Sequence, residues 1–187
     1  MKYSKIIRET IERFLNFDDK KIRAVIFDFD LTLVDTTVFE EVKQYAIIHR
    51  DFSVLMDRIP YTKPYSGIRE LISELRKRGI LVLVVTNNKQ SVAQSTLQYH
   101  GIKCDAIRGA QSIYGKRVPK SVRMLNLLKK AAVNPEEALS VGDLPSDGVE
   151  SNAVGIRFIG CTWGNNATNG INNPMDLIKI IDEYEEY

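Results

Sequence analysis

The chain has little of what marks a membrane, secreted or nucleic-acid-binding protein. Among its 187 residues no uninterrupted apolar run approaches the length of a bilayer span, so no membrane partner is expected. It has only two cysteines, Cys104 and Cys161, far apart and in no Cys-x-x-Cys pattern. Neither a disulfide framework nor a zinc site is signalled, and a reducing cytoplasm is the expected location. Charge of one sign is also missing: 26 Lys and Arg face 24 Asp and Glu, a net +2. The positive residues are scattered through Lys20-Lys21, Arg76-Lys77-Arg78 and Lys129-Lys130 rather than gathered in a stripe, and nucleic acid is not expected as a partner. Lys2, Lys5, Arg8, Glu9, Glu12 and Arg13 interrupt the N-terminal apolar residues, which argues against a signal peptide. Repeats, low-complexity tracts and interdomain linkers are absent from the sequence, so one domain with at most a small insertion is expected.

What is present is a regular alternation. Apolar runs at Ala24 to Phe27, Ile80 to Val85, Cys104 to Ile107, Ala138 to Val141 and Ile156 to Ile159 read as strands. Helical spacing appears between them at Ile68 to Leu75, Val92 to Tyr99 and Val122 to Lys130, and again at Met175 to Ile181 after Asn173-Pro174. This order predicts an α/β fold, a doubly wound parallel sheet covered by helices on both faces. Ile7, Ile11, Phe14 and Leu15 predict an amphipathic helix within residues 1–20, laid on the body. Residues 21–35 and 64–187 then form the core, and residues 36–63 a small insert after the first strand. Thr36 or Thr37 is expected to cap its first helix, from Val38 to about Ile48, and Phe52 to Arg58 to return the chain. Tyr45, His49, Phe52, Met56 and Tyr61 lie in this insert, either packing it or touching a substrate.

Three strand ends carry polar residues. The first run ends in Asp28-Phe29-Asp30, whose two carboxylates would share a side if the strand continued. Like charges so close invite a hard cation or a shared proton, although Asp28 alone could be a turn cap. After Val85 come Thr86-Asn87-Asn88, donors suited to an oxyanion, and after Val141 come Gly142-Asp143 and then Asp147. Singly, Thr86 could be a helix N-cap and Asp147 a first-turn acid. In a parallel sheet all three ends meet at one edge. Carboxylates at Asp28, Asp30, Asp143 and Asp147 select Mg2+ over zinc or copper, and an oxyanion donor beside them implies phosphate.

These motifs resemble those of the haloacid-dehalogenase-like superfamily: Asp28-Phe29-Asp30-Leu31-Thr32 as Asp-x-Asp-x-Thr, Thr86 as the strand-ending Thr or Ser, and Gly142-Asp143 with Asp147 downstream. The resemblance runs from about Arg23 to Gly164 and takes in Pro64-Tyr65-Ser66-Gly67, Asn134-Pro135 and Thr162-Trp163-Gly164. It implies that Asp28 is a nucleophile forming an aspartyl-phosphate, and that Asp30 is the general acid and then base. It also implies Mg2+ on Asp28, Asp143 and the Asp30 carbonyl, with Asp147 behind them or acting through water. Thr86 and the Asn87 amide would hold phosphoryl oxygens. The departure is at the third motif, where a lysine commonly precedes a proline. Here Val118 precedes Pro119, and Lys120 is the favoured cation, with Lys116 second.

An acid at Asp30 favours phosphomonoester hydrolysis over dehalogenation, and the small insert argues against a phosphosugar mutase. The expected substrate is a small phosphorylated metabolite or a phosphorylated group on something larger, handled by a monomer or homodimer. A receiver-like phosphoacceptor module and a catalytically silent binding protein are the rivals from other classes.

Overall fold

A computed structural model describes residues 21–165 and 169–185, so the helix expected within residues 1–20 lies outside the described residues. The central strand, β1 (Ala24–Phe27), is wholly buried. Its apolar run is unbroken because both of its faces are covered. Val25 and Phe27 pack into one core cluster, and Ala24 and Ile26 into another.

The chain leaves β1 through β2 (Val34–Asp35), crosses an insert, and returns through β3 (Lys63–Pro64), which pairs antiparallel with β2. Then follow α3 (Ile68–Lys77), β4 (Leu81–Val85), α4 (Gln90–Tyr99), β5 (Ala106–Arg108) and an exposed hairpin of β6 (Ser112–Ile113) and β7 (Lys116–Arg117). The second half runs through α5 (Lys120–Ala131), β8 (Ala138–Gly142), α6 (Pro145–Asn152), β9 (Arg157–Cys161), β10 (Gly170–Ile171) and α7 (Asp176–Glu185). The six-stranded sheet has the order β10-β9-β8-β1-β4-β5, and every pairing in it is parallel. From β1 the chain builds outward to β4 and β5, then crosses back to lay β8 on the other side. A crevice therefore opens at the carboxyl ends of β1, β4 and β8, where such folds bind ligands.

The helices cover both faces. Ile68, Leu71, Ile72 and Leu75 of α3, Val92, Ala93 and Leu97 of α4, and Leu177, Ile178 and Ile181 of α7 join Val25 and Phe27. Met124, Leu127 and Leu128 of α5 join Ala24 and Ile26. At α7, Asn173 caps by accepting the Met175 N–H at 2.9 Å. Among the described residues no helix is long and apolar enough to cross a membrane.

The insert holds a single 3-10 turn (Thr37–Phe39), then α1 (Glu40–His49), α2 (Ser53–Met56) and another 3-10 turn (Ile59–Tyr61). Phe39, Ala46, Leu55 and Ile59 anchor it in the main core. Of its five candidate substrate contacts, Tyr45 stacks at 4.2 Å on His49, and Phe52 lies under the Lys89 ammonium at 4.2 Å. Met56 packs against the core, while Tyr61 is exposed. One expectation is corrected here. Neither Thr36 nor Thr37 caps the insert; Asp35 does, its Oδ1 accepting the Thr37 N–H at 3.0 Å and the Thr37 hydroxyl at 2.7 Å. The Thr36 side chain makes no cap bond and instead donates its hydroxyl to Asp30 Oδ1 at 2.9 Å.

Candidate active site

The strand does not continue past Phe27, and this decides how the two acids of Asp28-Phe29-Asp30 are used. Asp28 keeps one sheet bond, its N–H donating to Val141 O at 2.9 Å. The backbone then curls: Leu33 N–H donates to Phe29 O at 3.1 Å, and Leu31 adopts a left-handed φ of 57°. The curl sends the carboxylates to different neighbours.

Asp28 meets the end of β8 and the start of α5. One carboxylate oxygen from each of Asp28, Asp143 and Asp147 falls within a cluster no wider than 4.8 Å. Gly142 permits this, since a Cβ there would stand 2.6 Å from Asp147 Oδ2. Lys120, at the first turn of α5 and buried, places Nζ 2.6 Å from Asp147 Oδ1 and 2.8 Å from Asp28 Oδ1. Lys120 is the one partner of Asp28 Oδ1 among the described residues. Burial, with Asp147 and Asp30 nearby, raises Asp28 from 3.8 to about 7 against the pull of Lys120. Burial also raises Asp143, although hydrogen bonds from Thr32 and Asn165 work the other way. Burial opposes the charge on Lys120, yet Asp28 and Asp147 together hold its pKa above the ordinary lysine value. Three carboxylates face one ammonium, and when all are ionised the excess is two negative charges.

Asp30 turns to the end of β4. Its Oδ2 accepts the Thr86 hydroxyl at 3.2 Å, and its Oδ1 accepts Asn88 Nδ2 at 3.1 Å besides Thr36. Thr86 is fully buried, and its Oγ1 accepts the Asn88 N–H at 2.9 Å. Asn87 is exposed at the turn between them. The structure thus brings Asp28, Asp30, Thr86, Asn87, Lys120, Asp143 and Asp147 to one sheet edge. Lys116 lies exposed on the β6-β7 hairpin, outside the cluster.

Several polar residues at this edge were given no role by the sequence, although Thr32 and Trp163 stand in its matched motifs. Thr32 Oγ1 donates to Asp143 Oδ1 at 3.0 Å, and Asn165 Nδ2 to Asp143 Oδ2 at 2.6 Å. The Trp163 indole donates to Thr32 O at 2.9 Å, tying the sole tryptophan to the Asp143 side of the site. Arg123, buried beneath the Thr86-Asn87 turn, was also missed. A signal existed for Arg123: it lies three residues after Lys120 and four before Leu127, on the buried stripe of α5, where a charge is out of place.

Residues 38–161, more than half of the chain, match the profile of the haloacid dehalogenase-like hydrolases. The chain is similar to the phosphoglycolate phosphatase of Aquifex aeolicus, 27% identical over an alignment of 138 residues that covers 70% of this chain and 64% of that one. It is also similar to the phosphoglycolate phosphatase of Pseudomonas putida, 30% identical over 65% of this chain and 45% of that one. The match therefore spans less than two thirds of each of these relatives. Among solved structures, a haloacid dehalogenase-like family protein from Streptococcus pneumoniae shares the fold, with a TM-score of 0.69 at 20% identity, covering 85% of this chain and 98% of that one.

Proposed function

The chain belongs to the haloacid dehalogenase-like hydrolase family, and we propose that it is a Mg2+-dependent phosphomonoester hydrolase working through an aspartyl-phosphate on Asp28. The observation that carries this reading is the separation of the two acids. Asp28 lies among buried carboxylates beside Lys120, whereas Asp30 is held by neutral donors at the neighbouring strand end. One suits a nucleophile and the other a proton carrier.

The donor set fits a hard divalent cation. The oxygens are carboxylates, and when ionised they outnumber the Lys120 ammonium by two. Asp28, Asp143 and the Asp30 carbonyl would hold Mg2+, with Asp147 behind them. Bound there, Mg2+ would neutralise charge on the phosphoryl group and favour the ionised form of Asp28.

The rest follows from the chain's own groups. The Thr86 hydroxyl and the Asn87 amide bind phosphoryl oxygens, and Lys120 offsets charge on Asp28 and the phosphate. An Asp28 carboxylate oxygen attacks phosphorus as the ester P–O bond breaks, and Asp30 gives its proton to the departing oxygen. Water then attacks phosphorus of the aspartyl-phosphate, Asp30 takes its proton, and Asp28 is regenerated with release of inorganic phosphate.

Residues 36–63 act as a small cap over this edge, leaving room for a small phosphorylated metabolite or a phosphorylated group on a larger molecule. The relatives called phosphoglycolate phosphatases point to the first of these. Cytoplasmic action belongs to the same reading and rests on the sparse cysteine content. Asp28→Asn tests it: turnover of p-nitrophenyl phosphate with Mg2+ should vanish while the fold is kept, and unchanged turnover would refute the proposal. A receiver-like module would instead take phosphate from acetyl phosphate once and release it slowly.

A further inference from the structure

Arg123 is 1% exposed, yet among the described residues no carboxylate lies within ion-pairing distance of it. A buried cation attracted by carboxylates, Glu150 and Asp28, only from beyond contact distance is costly and needs a compensating role. Four of the five guanidinium N–H groups go to oxygen atoms of other kinds. Nη1 donates to Thr86 O and, at 2.9 Å, to Gly109 O; Nη2 donates to Asn87 Oδ1 at 2.7 Å; Nε reaches Pro119 O at 3.4 Å.

Thr86 and Asn87 form the turn assigned above to phosphoryl oxygens, and the present inference rests on that assignment. An anion is repelled by carbonyl and amide oxygens and attracted by N–H and O–H groups. By binding the Thr86 carbonyl and the Asn87 amide oxygen, Arg123 ties back two acceptors of this turn and adds a positive charge beneath it. Only a planar fork can hold two carbonyls and an amide at once; a lysine ammonium carries the charge without that geometry.

We propose that Arg123 is a positioning residue that holds the Thr86-Asn87 turn in the conformation that accepts a phosphoryl group. Helix α5 then supplies both buried cations of the site. Lys120 at its first turn serves the carboxylates, and Arg123, three residues on, serves the phosphate turn.

The test uses the full chain, with inorganic phosphate as the probe and Mg2+ as the control. Arg123→Lys and Arg123→Met should raise KM for p-nitrophenyl phosphate and the inhibition constant of inorganic phosphate together, by about tenfold or more, with a smaller change in kcat. The Mg2+ midpoint, read from Trp163 fluorescence, should stay within about twofold of wild type, because Trp163 and Asp143 lie on the other side of the site. Lysine should not rescue. Asn87→Ala keeps the backbone amide but removes the oxygen that Nη2 grips, and should weaken phosphate by about threefold. Unchanged phosphate inhibition in Arg123→Lys, or equal losses of phosphate and Mg2+, would overturn the proposal. If neither Arg123 variant folds, the exposed Asn87→Ala decides, and unaltered phosphate affinity there overturns it. A wild-type protein that neither hydrolyses phosphate esters nor binds phosphate would remove the assignment beneath it, which is a separable result.

Discussion

Replacing the nucleophile should stabilise the metal-free protein. Asp28 titrates at 3.8 in the unfolded chain and at about 7 in the folded one, chiefly because of burial. Between these values the folded chain carries one proton more than the unfolded chain, so stability falls as pH rises from about 4 through about 7. The rise from 3.8 to about 7 corresponds to about 4 kcal/mol once Asp28 is fully ionised. Asp28→Asn removes that cost, which is already net of the Lys120 attraction, but buries a polar amide in its place at about 2 kcal/mol, while Lys120 keeps Asp147 at 2.6 Å. We expect a net gain of about 2 kcal/mol at pH 8 in EDTA, or a Tm higher by about 4–8 °C. At pH 5 wild-type Asp28 is protonated and the gap should nearly close. Urea unfolding at pH 5, 6, 7 and 8 measures both. An Asn variant less stable than wild type at pH 8, or a gap independent of pH, would refute the reasoning.

Other consequences are equally open to measurement. Gly142→Ala would drive a Cβ to within 2.6 Å of Asp147 Oδ2; a loss of about 1–3 kcal/mol in thermal unfolding and a weaker Mg2+ response should follow. Thr36→Val removes one of the donors that orient Asp30. It should slow alkyl phosphates, whose leaving oxygen needs a proton, by about tenfold while sparing dinitrophenyl phosphate, and equal losses on both would count against a role for Asp30 as acid. Mg2+ should change the emission of Trp163 in a saturable way reversed by EDTA, and Asp143→Asn should abolish the response; a response surviving in that variant would move the metal site elsewhere.

The sheet was legible because its strands are buried on both faces, so runs such as Ala24 to Phe27 and Leu81 to Val85 lack polar alternation. The short pairings were not: β6 with β7, β10 with β9, and β2 with β3 involve two residues each, and their partners are set by the tertiary fold. At the site, residue types at strand ends pointed to Asp28, Asp30, Thr86 and Asp143. What could not be read was the curl at Leu31, which separates Asp28 from Asp30, and the exposed β6-β7 hairpin, which keeps Lys116 outside while the first turn of α5 carries Lys120 inward. Thr36 misled because hydroxyls before helices usually cap them by accepting an N–H, whereas here the Thr36 side chain donates to Asp30 and the Asp35 carboxylate takes the Thr37 N–H.

The central claim is a phosphoryl group carried on Asp28. Acid quenching during turnover of a phosphate ester with Mg2+, followed by borohydride reduction and peptide mass spectrometry, reads it directly. The account predicts reduction of residue 28 alone, to homoserine, and only when substrate and Mg2+ are both present. Steady turnover with Asp28 unmodified, or an adduct on another residue, would contradict it.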